Sequence, residues 1–275
     1  HEPPRGCTPN SGLTGFGATL TRELRLGLRG RAELLNPLFF FVLVVSLFPL
    51  GLDPEQLEKT VYHLLSDEPT TAAEVVQHAA GDESRQLGVI PAEVNLAGVE
   101  SELAEKTVAG AAQTVLRNKT RDLVKHFDYV IIDCPPSLGL LTINALTTAH
   151  EVIVPMQAHF LALQGLSKLL ETVSMVRSAI NERLVISGIV LCMHEKQTVL
   201  ANEVVSDLND FLEQNRGSDS PWNEAIVYQP AVRRNIKLAE CPSFGQSVFA
   251  YAPESNGARD YRQLAKQIAS HRVGR

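Results

Sequence analysis

The sequence has little of what marks a secreted, metal-stapled or membrane-embedded protein. Its four cysteines, Cys7, Cys134, Cys192 and Cys241, are scattered, with no CxxC pair and no histidine at zinc-ligand spacing. That argues against a disulfide framework or a structural zinc and points to a reducing compartment. No internal repeat is present, which excludes a solenoid. The longest uncharged apolar run, residues 38–52, is broken by Pro49 and falls short of the roughly 20 residues a spanning helix needs. Basic residues are too few to balance the acids, 25 against 31, for a net charge of −6. Any nucleic-acid binding therefore has to use a local patch and not the overall field. The deficit is uneven: residues 1–50 carry five Arg against three Glu, and the rest of the chain is strongly acidic.

What is present is a chain of 275 residues, 44% hydrophobic and 20% charged, long enough to bury the core of a large α/β domain. It opens at His1 and not Met, as a fragment would. Residues 1–17, rich in Pro, Gly, Ser and Thr without a hydrophobic period, read as a flexible leader. Over 19–35, Leu20, Leu24, Leu28 and Leu35 recur near one helical face while Arg22, Arg25, Arg29 and Arg31 fall elsewhere, the pattern of a basic amphipathic helix that Asn36-Pro37 ends. From residue 52 onward helical stretches alternate with short β-rich apolar runs. The periodicity predicts helices near 54–65, 71–80, 105–126, 139–149, 161–181, 198–214 and 257–271. Strands are predicted at 128–133, 151–155, 185–193 and 225–228. Strand, crossover helix, strand is the unit of a parallel sheet, so the fold class is α/β, doubly wound and mostly parallel.

The most informative segment is 127–146, FDYVIIDCPPSLGLLTINAL. A hydrophobic strand ends in Asp133, and Pro135, Pro136, Ser137, Leu138 and Gly139 form a turn into a helix. Open α/β sheets bind ligands at the carboxyl ends of their strands, where a carboxylate suits Mg²⁺ or its water. An isolated strand-terminal Asp equally suits a helix N-cap or a loop salt bridge. Farther on, Arg233, Arg234 and Lys237 form a compact basic cluster in the acidic body, with nearby Glu240 as a partner if the run is merely solvated surface. His159, His194 and Glu195 have no third ligand at hand and read as loop polar groups. Trp222 follows a Gly/Ser/Asp loop and reads as its buried anchor, and Cys134 as a small packed residue.

The stretch 127–146 resembles the Walker B and switch II region of the ParA/Soj/MinD family of partition ATPases. Blocks at 51–65, 87–103, 151–173 and 233–265 resemble the same family in the same order. The resemblance implies a P-loop NTPase-like fold that binds ATP and Mg²⁺, forms a homodimer, binds DNA non-specifically and works with a ParB-type partner in the cytoplasm, at the nucleoid. Asp133 then matches the carboxylate that holds Mg²⁺ through water, and Pro135, Pro136, Ser137, Leu138 and Gly139 match switch II. Pro230, Arg233 and Asn235 fall where the family's loop lies over the adenine, and Arg233, Arg234 and Lys237 become candidates for DNA phosphate contact.

The family's glycine-rich phosphate loop is missing, for the sequence contains no GKT or GKS. The nearest candidate, 12–20, has Ala18 in place of the essential lysine and Leu13 in place of the signature lysine. Residues 19–50 instead resemble the N-terminus of CcmB, the membrane subunit of a haem exporter, with Glu33, Leu34, Leu35, Asn36 and Pro37 in that order. The expected organisation is thus a CcmB-like head over 1–50, able to touch a membrane peripherally, and a ParA-like domain over 51–275 without its N-terminal P-loop unit. ATP binding is expected to be weak and ATPase activity weak or absent. The rival reading is a non-enzymatic, membrane-associated or scaffold protein derived from a ParA/CcmB chimera.

Overall fold

The computed structural model describes residues 59–66, 69–78, 87–93, 95–106, 111–195 and 198–271. The chain divides into two units, 1–44 and 45–275, and all described residues belong to the second. The leader, the basic amphipathic segment and the apolar run lie outside the described residues.

A three-stranded parallel sheet organises the domain. Its strands β3 (Glu151–Met156), β4 (Val185–Leu191) and β5 (Ile226–Tyr228) stand in chain order. Parallel neighbours need crossovers, and the helices α6 (Phe160–Ala179) and α7 (Val199–Gln214) supply them. Leu166, Leu170, Val173 and Val176 recur at helical spacing on α6, as do Val204, Leu208 and Leu212 on α7. Both sets enter one core with Ile186, Ile189 and Leu191 of β4 and with Leu146 of α5 (Leu140–Thr148). The opposite sheet face, through Val190 and Tyr228, packs on Leu264 of α10 (Asn256–Ser270). The predicted α/β architecture with helix-covered parallel strands is thus observed.

A bulge decides which β4 side chains face which layer. The β3–β4 register shifts between Val152 and Ile153: Val152 pairs with Ile186, but Ile153 pairs with Gly188, leaving Ser187 extra. After it the inward positions change from even to odd, which is how Ile186, Ile189 and Leu191 share a face. Gly188 accommodates the close passage of β5, since a Cβ there would lie 2.5 Å from the Ile226 carbonyl oxygen and 2.6 Å from the buried Tyr228 ring.

The other elements are short. They are α1 (Val61–Leu65), α2 (Ala72–Val75), α3 (Leu96–Lys106), α4 (Val115–Thr120), α8 (Ile236–Glu240) and α9 (Val248–Tyr251), with 3-10 turns at Leu123–His126 and Cys241–Phe244. Strands β1 (Gln77–His78) and β2 (Gly88–Val89) form an antiparallel pair. Three expectations change. The helix expected over 71–80 stops at Val75, and the chain turns into β1. The one expected over 105–126 divides into the end of α3, α4 and a 3-10 turn. Residues 128–133 join no ladder, and Tyr129, Val130 and Ile131 are exposed, Ile131 to 92%. Their composition suits a buried strand, but a strand exists only where a neighbour accepts its hydrogen bonds, and among the described residues none pairs with it.

Candidate functional site

The carboxyl ends of β3, β4 and β5 form one edge, the position at which open α/β sheets bind ligands. Backbone hydrogen bonds continue past the strand ends: Cys192 N–H donates to the Met156 carbonyl (2.8 Å), Val232 N–H to Leu191 (2.8 Å) and His194 N–H to Val232 (3.0 Å). His194 and Arg233 form a further parallel bridge. The end of β4 is thereby zipped to the 229–235 loop that follows β5. At the same edge Met193 adopts a left-handed backbone, with φ of 49°, a conformation uncommon outside glycine. His159 caps α6, its Nδ1 accepting from Ala162 N–H at 3.3 Å, and so fills the polar loop role expected of it. Among the described residues, His194 Nδ1 is buried without a hydrogen-bond partner. Trp222, expected to be buried, is half-buried and stacks on Phe211 against the edge of the core.

The sequence-predicted site residues form two groups. Asp133 is exposed, yet the protein around its carboxyl desolvates it enough to raise its pKa above the ordinary value, against a hydrogen bond from Cys134 N–H that lowers it. The Cys134 thiol is pushed up to about 11, first by burial and then by the Asp133 charge, so it is no nucleophile at neutral pH. Pro135 is half-buried; Pro136, Ser137 and Leu138 are exposed. The Thr142 hydroxyl donates to the Ser137 carbonyl at 2.6 Å. Gly139 stands at the N-cap of α5, where a Cβ would collide with the Glu100 carboxylate. That carboxylate, from α3, accepts from Leu141 N–H at 3.0 Å. Glu100 therefore caps the helix that follows the Asp133 turn, satisfying a first-turn donor and placing negative charge at its positive end. The block 87–103 contained it, but nothing in the sequence says which helix its side chain reaches.

In the second group each basic residue has an acidic partner. The Arg233 guanidinium forks onto Asp260 of α10, with Nε to Oδ2 at 2.9 Å and Nη2 to Oδ1 at 2.7 Å. Asp260 is 2% exposed. Arg234 reaches Glu195 at 3.1 Å, and Lys237 reaches Glu240 at 2.7 Å. Glu240 also accepts from the Tyr251 hydroxyl at 3.0 Å, and these two donors hold its pKa below the ordinary value, Lys237 contributing most. Lys237 lies 5.5 Å from the centre of the Tyr251 ring. Asn235 caps α8, its Oδ1 accepting from Lys237 N–H at 2.8 Å. Pro230 is half-buried and follows a cis peptide. An open cleft beside this group is lined by Arg234, Ile236, Lys237, Pro253 and Asn256.

ATP with Mg²⁺ fits these residues only in part. Magnesium takes one or two carboxylates and fills its shell with water and phosphate oxygens, so the exposed Asp133 carboxylate suits it. Among the described residues no cluster of three or more acidic, His or Cys side chains could hold a metal by itself. Phosphates need positive charge, and Arg233, Arg234 and Lys237 each already face a carboxylate.

Comparison with known proteins extends this picture. An AAA domain family model matches residues 46–186, and a CcmB protein family model matches residues 14–61. The chain is 38% identical over 223 residues to the sporulation initiation inhibitor protein Soj of Bacillus subtilis, covering 81% of each chain. It is 36% identical over 220 residues to the chromosome partitioning protein ParA of Myxococcus xanthus, covering 80% of this chain and 71% of that one. Among solved structures, cobyrinic acid a,c-diamide synthase of Mycobacterium smegmatis with bound ATP analogue and magnesium matches with a TM-score of 0.62 and 30% identity, over 82% of this chain and 77% of that one. Among the described residues no helix is long and apolar enough to cross a membrane.

Proposed function

The chain belongs to the ParA/Soj family of partitioning ATPases, and from that premise we propose that it is a chromosome- or plasmid-partitioning protein whose ATP·Mg²⁺ site is impaired. The observation that carries the impairment is the charge at the site. The sequence has no GKT or GKS loop, and so no lysine of that loop to meet the phosphates. A charge-assisted contact to phosphate is worth about 1.5–3 kcal/mol, so absent lysines remove several such contributions. Phosphoryl transfer depends on positioning and charge stabilisation, and hydrolysis falls further than binding. Within the site Asp133 would hold Mg²⁺ through water. Pro135, Pro136, Ser137 and Gly139 would line the phosphate side, with Pro230, Arg233 and Asn235 over the base.

The same reading makes the protein a cytoplasmic, nucleoid-associated homodimer that meets a ParB-type partner and non-specific DNA. Self-association is supported by the exposed apolar side chains Phe160, Leu161, Met193, Val199 and Leu200, which stand at the carboxyl edge of the sheet. Among the DNA-contact candidates, Arg234 and Lys237 pair with exposed or half-buried acids that phosphate can replace, whereas Arg233 pairs with a buried one. The CcmB family match over 14–61 favours a second reading, a membrane-associated or scaffold protein in which a CcmB-like head at 19–50 takes the place of the phosphate-binding unit. A basic amphipathic segment beside an apolar run suits peripheral contact with anionic lipid.

The test is equilibrium binding of a fluorescent ATP analogue with Mg²⁺, run beside Asp133→Ala, together with steady-state hydrolysis. Weak or absent binding and negligible turnover are expected. Turnover at a rate ordinary for partitioning ATPases and abolished by Asp133→Ala would refute the impairment. Flotation with anionic liposomes separates the second reading, which requires the protein to rise with the lipid.

A further inference from the structure

The loop 229–235 is held by one face of α10. Asp260, Leu264 and Gln267 recur at helical spacing along it. At one end Gln229 N–H donates to Gln267 Oε1 at 2.6 Å. In the middle Leu264 packs with Tyr228 and Val232. At the other end Asp260 takes three donors from a single residue: the Arg233 backbone N–H at 3.2 Å, Nε at 2.9 Å and Nη2 at 2.7 Å. The Arg233 side chain as a whole stays 43% exposed.

We propose that Asp260 is a positioning residue for this loop: through Arg233 it holds residues 229–235 in one conformation before any ligand arrives, and so sets how the loop meets a nucleotide base. The assignment of a base to this loop rests on the ATP-site reading above; the latch itself does not. The physical reason is the asymmetry of the pair. A buried carboxylate that releases Arg233 gives up three donors at once in a poor solvent, so the open loop is strongly disfavoured. A planar bidentate fork also fixes orientation as well as distance. Asn235 lies two residues beyond Arg233 and caps α8, so the latch also fixes where α8 starts. Arg233 therefore acts as the handle by which α10 grips the loop.

The test uses the full chain and the near-isosteric change Asp260→Asn, with Arg233→Gln and the double variant. Amide hydrogen exchange on the protein without nucleotide is the primary readout. Exchange at residues 232–235 should accelerate at least tenfold in Asp260→Asn, while the amides of β3 and β4 keep their rates. The double variant should exchange no faster than Arg233→Gln alone, because the two residues act as one unit. Unchanged loop exchange in Asp260→Asn, or effects of the two substitutions that simply add, would overturn the proposal. Uniform acceleration through β3 and β4 would overturn it as well, since that marks general destabilisation. In proteins that bind a fluorescent ATP analogue, Asp260→Asn should weaken binding only by the factor by which the fraction of molecules with a closed loop falls. Where the wild-type chain binds no analogue, as the impaired site predicts, the exchange result alone decides the latch.

Discussion

Asn144 ties the helix that follows the Asp133 turn to the helix before it, and its replacement by leucine gives the sharpest test of the packing described above. The side chain is fully buried. Its Oδ1 accepts from Leu116 N–H at 3.1 Å, and its Nδ2 donates to the carbonyls of Ala112 at 2.8 Å and Leu140 at 3.0 Å. Leu116 is in the first turn of α4, whose N-cap residue Thr114 makes no side-chain capping bond. Asn144 thus caps α4 from another helix. Leucine keeps the number and branching of the side-chain heavy atoms, at a somewhat larger volume, and removes the polar atoms. The Leu140 carbonyl retains its helical partner, so the orphans are Leu116 N–H and the Ala112 carbonyl. Each unsatisfied buried group costs about 1–3 kcal/mol. Leu116 and Ala112 are half-buried, so water recovers part of that, and a net loss of about 2–4 kcal/mol follows. For a domain of this size, melting should fall by roughly 5–15 °C. Urea denaturation gives the first quantity, calorimetry the second, and hydrogen exchange at Leu116 the local one. A loss under about 0.5 kcal/mol, or an unchanged Leu116 exchange rate, would refute the reasoning.

Two further outcomes follow from particular contacts. Gly188→Ala should lower the urea midpoint by the equivalent of about 1–3 kcal/mol, because the new Cβ meets a β5 backbone carbonyl and the Tyr228 ring; an unchanged midpoint would show that β5 can move aside freely. Glu240 has a pKa lowered by Lys237 and Tyr251, so its contribution to stability is present above the ordinary glutamate value and is lost as pH falls through its folded pKa. Lys237 is raised by the same pair, and its share is lost as pH rises through that raised value. Glu240→Gln should therefore be slightly less stable near neutral pH, with a gap that closes on acidification and shrinks in salt. A gap that widens in acid would contradict the sign. The same variant removes the carboxylate that competes for Lys237, so retention on DNA should rise if Lys237 contacts phosphate.

Much of the fold was legible because it depends on local periodicity. The apolar spacing along 161–181 and 198–214 announces α6 and α7, and the short β-branched runs announce β3 and β4, since each pattern suits one backbone geometry and one buried face. The run at 128–133 shows the limit of such reading. It has the composition of a buried strand, yet its hydrogen bonds must come from another segment, and its three apolar residues stand exposed.

The site divides in the same way. The sequence by itself determined the family, the want of a GKT or GKS motif, and the Asp133 turn, because these are matters of residue identity and order. It could also place Arg233, Arg234 and Lys237 in one cluster, as neighbours along the chain. Only the tertiary structure decided what those charges face. Asp260 is 27 residues from Arg233, Glu195 is 39 from Arg234, and Glu100 is 41 from the amide it caps. Electrostatics acts through space over a few ångströms, so partners that distant in sequence become neighbours only once the sheet and its helices have assembled.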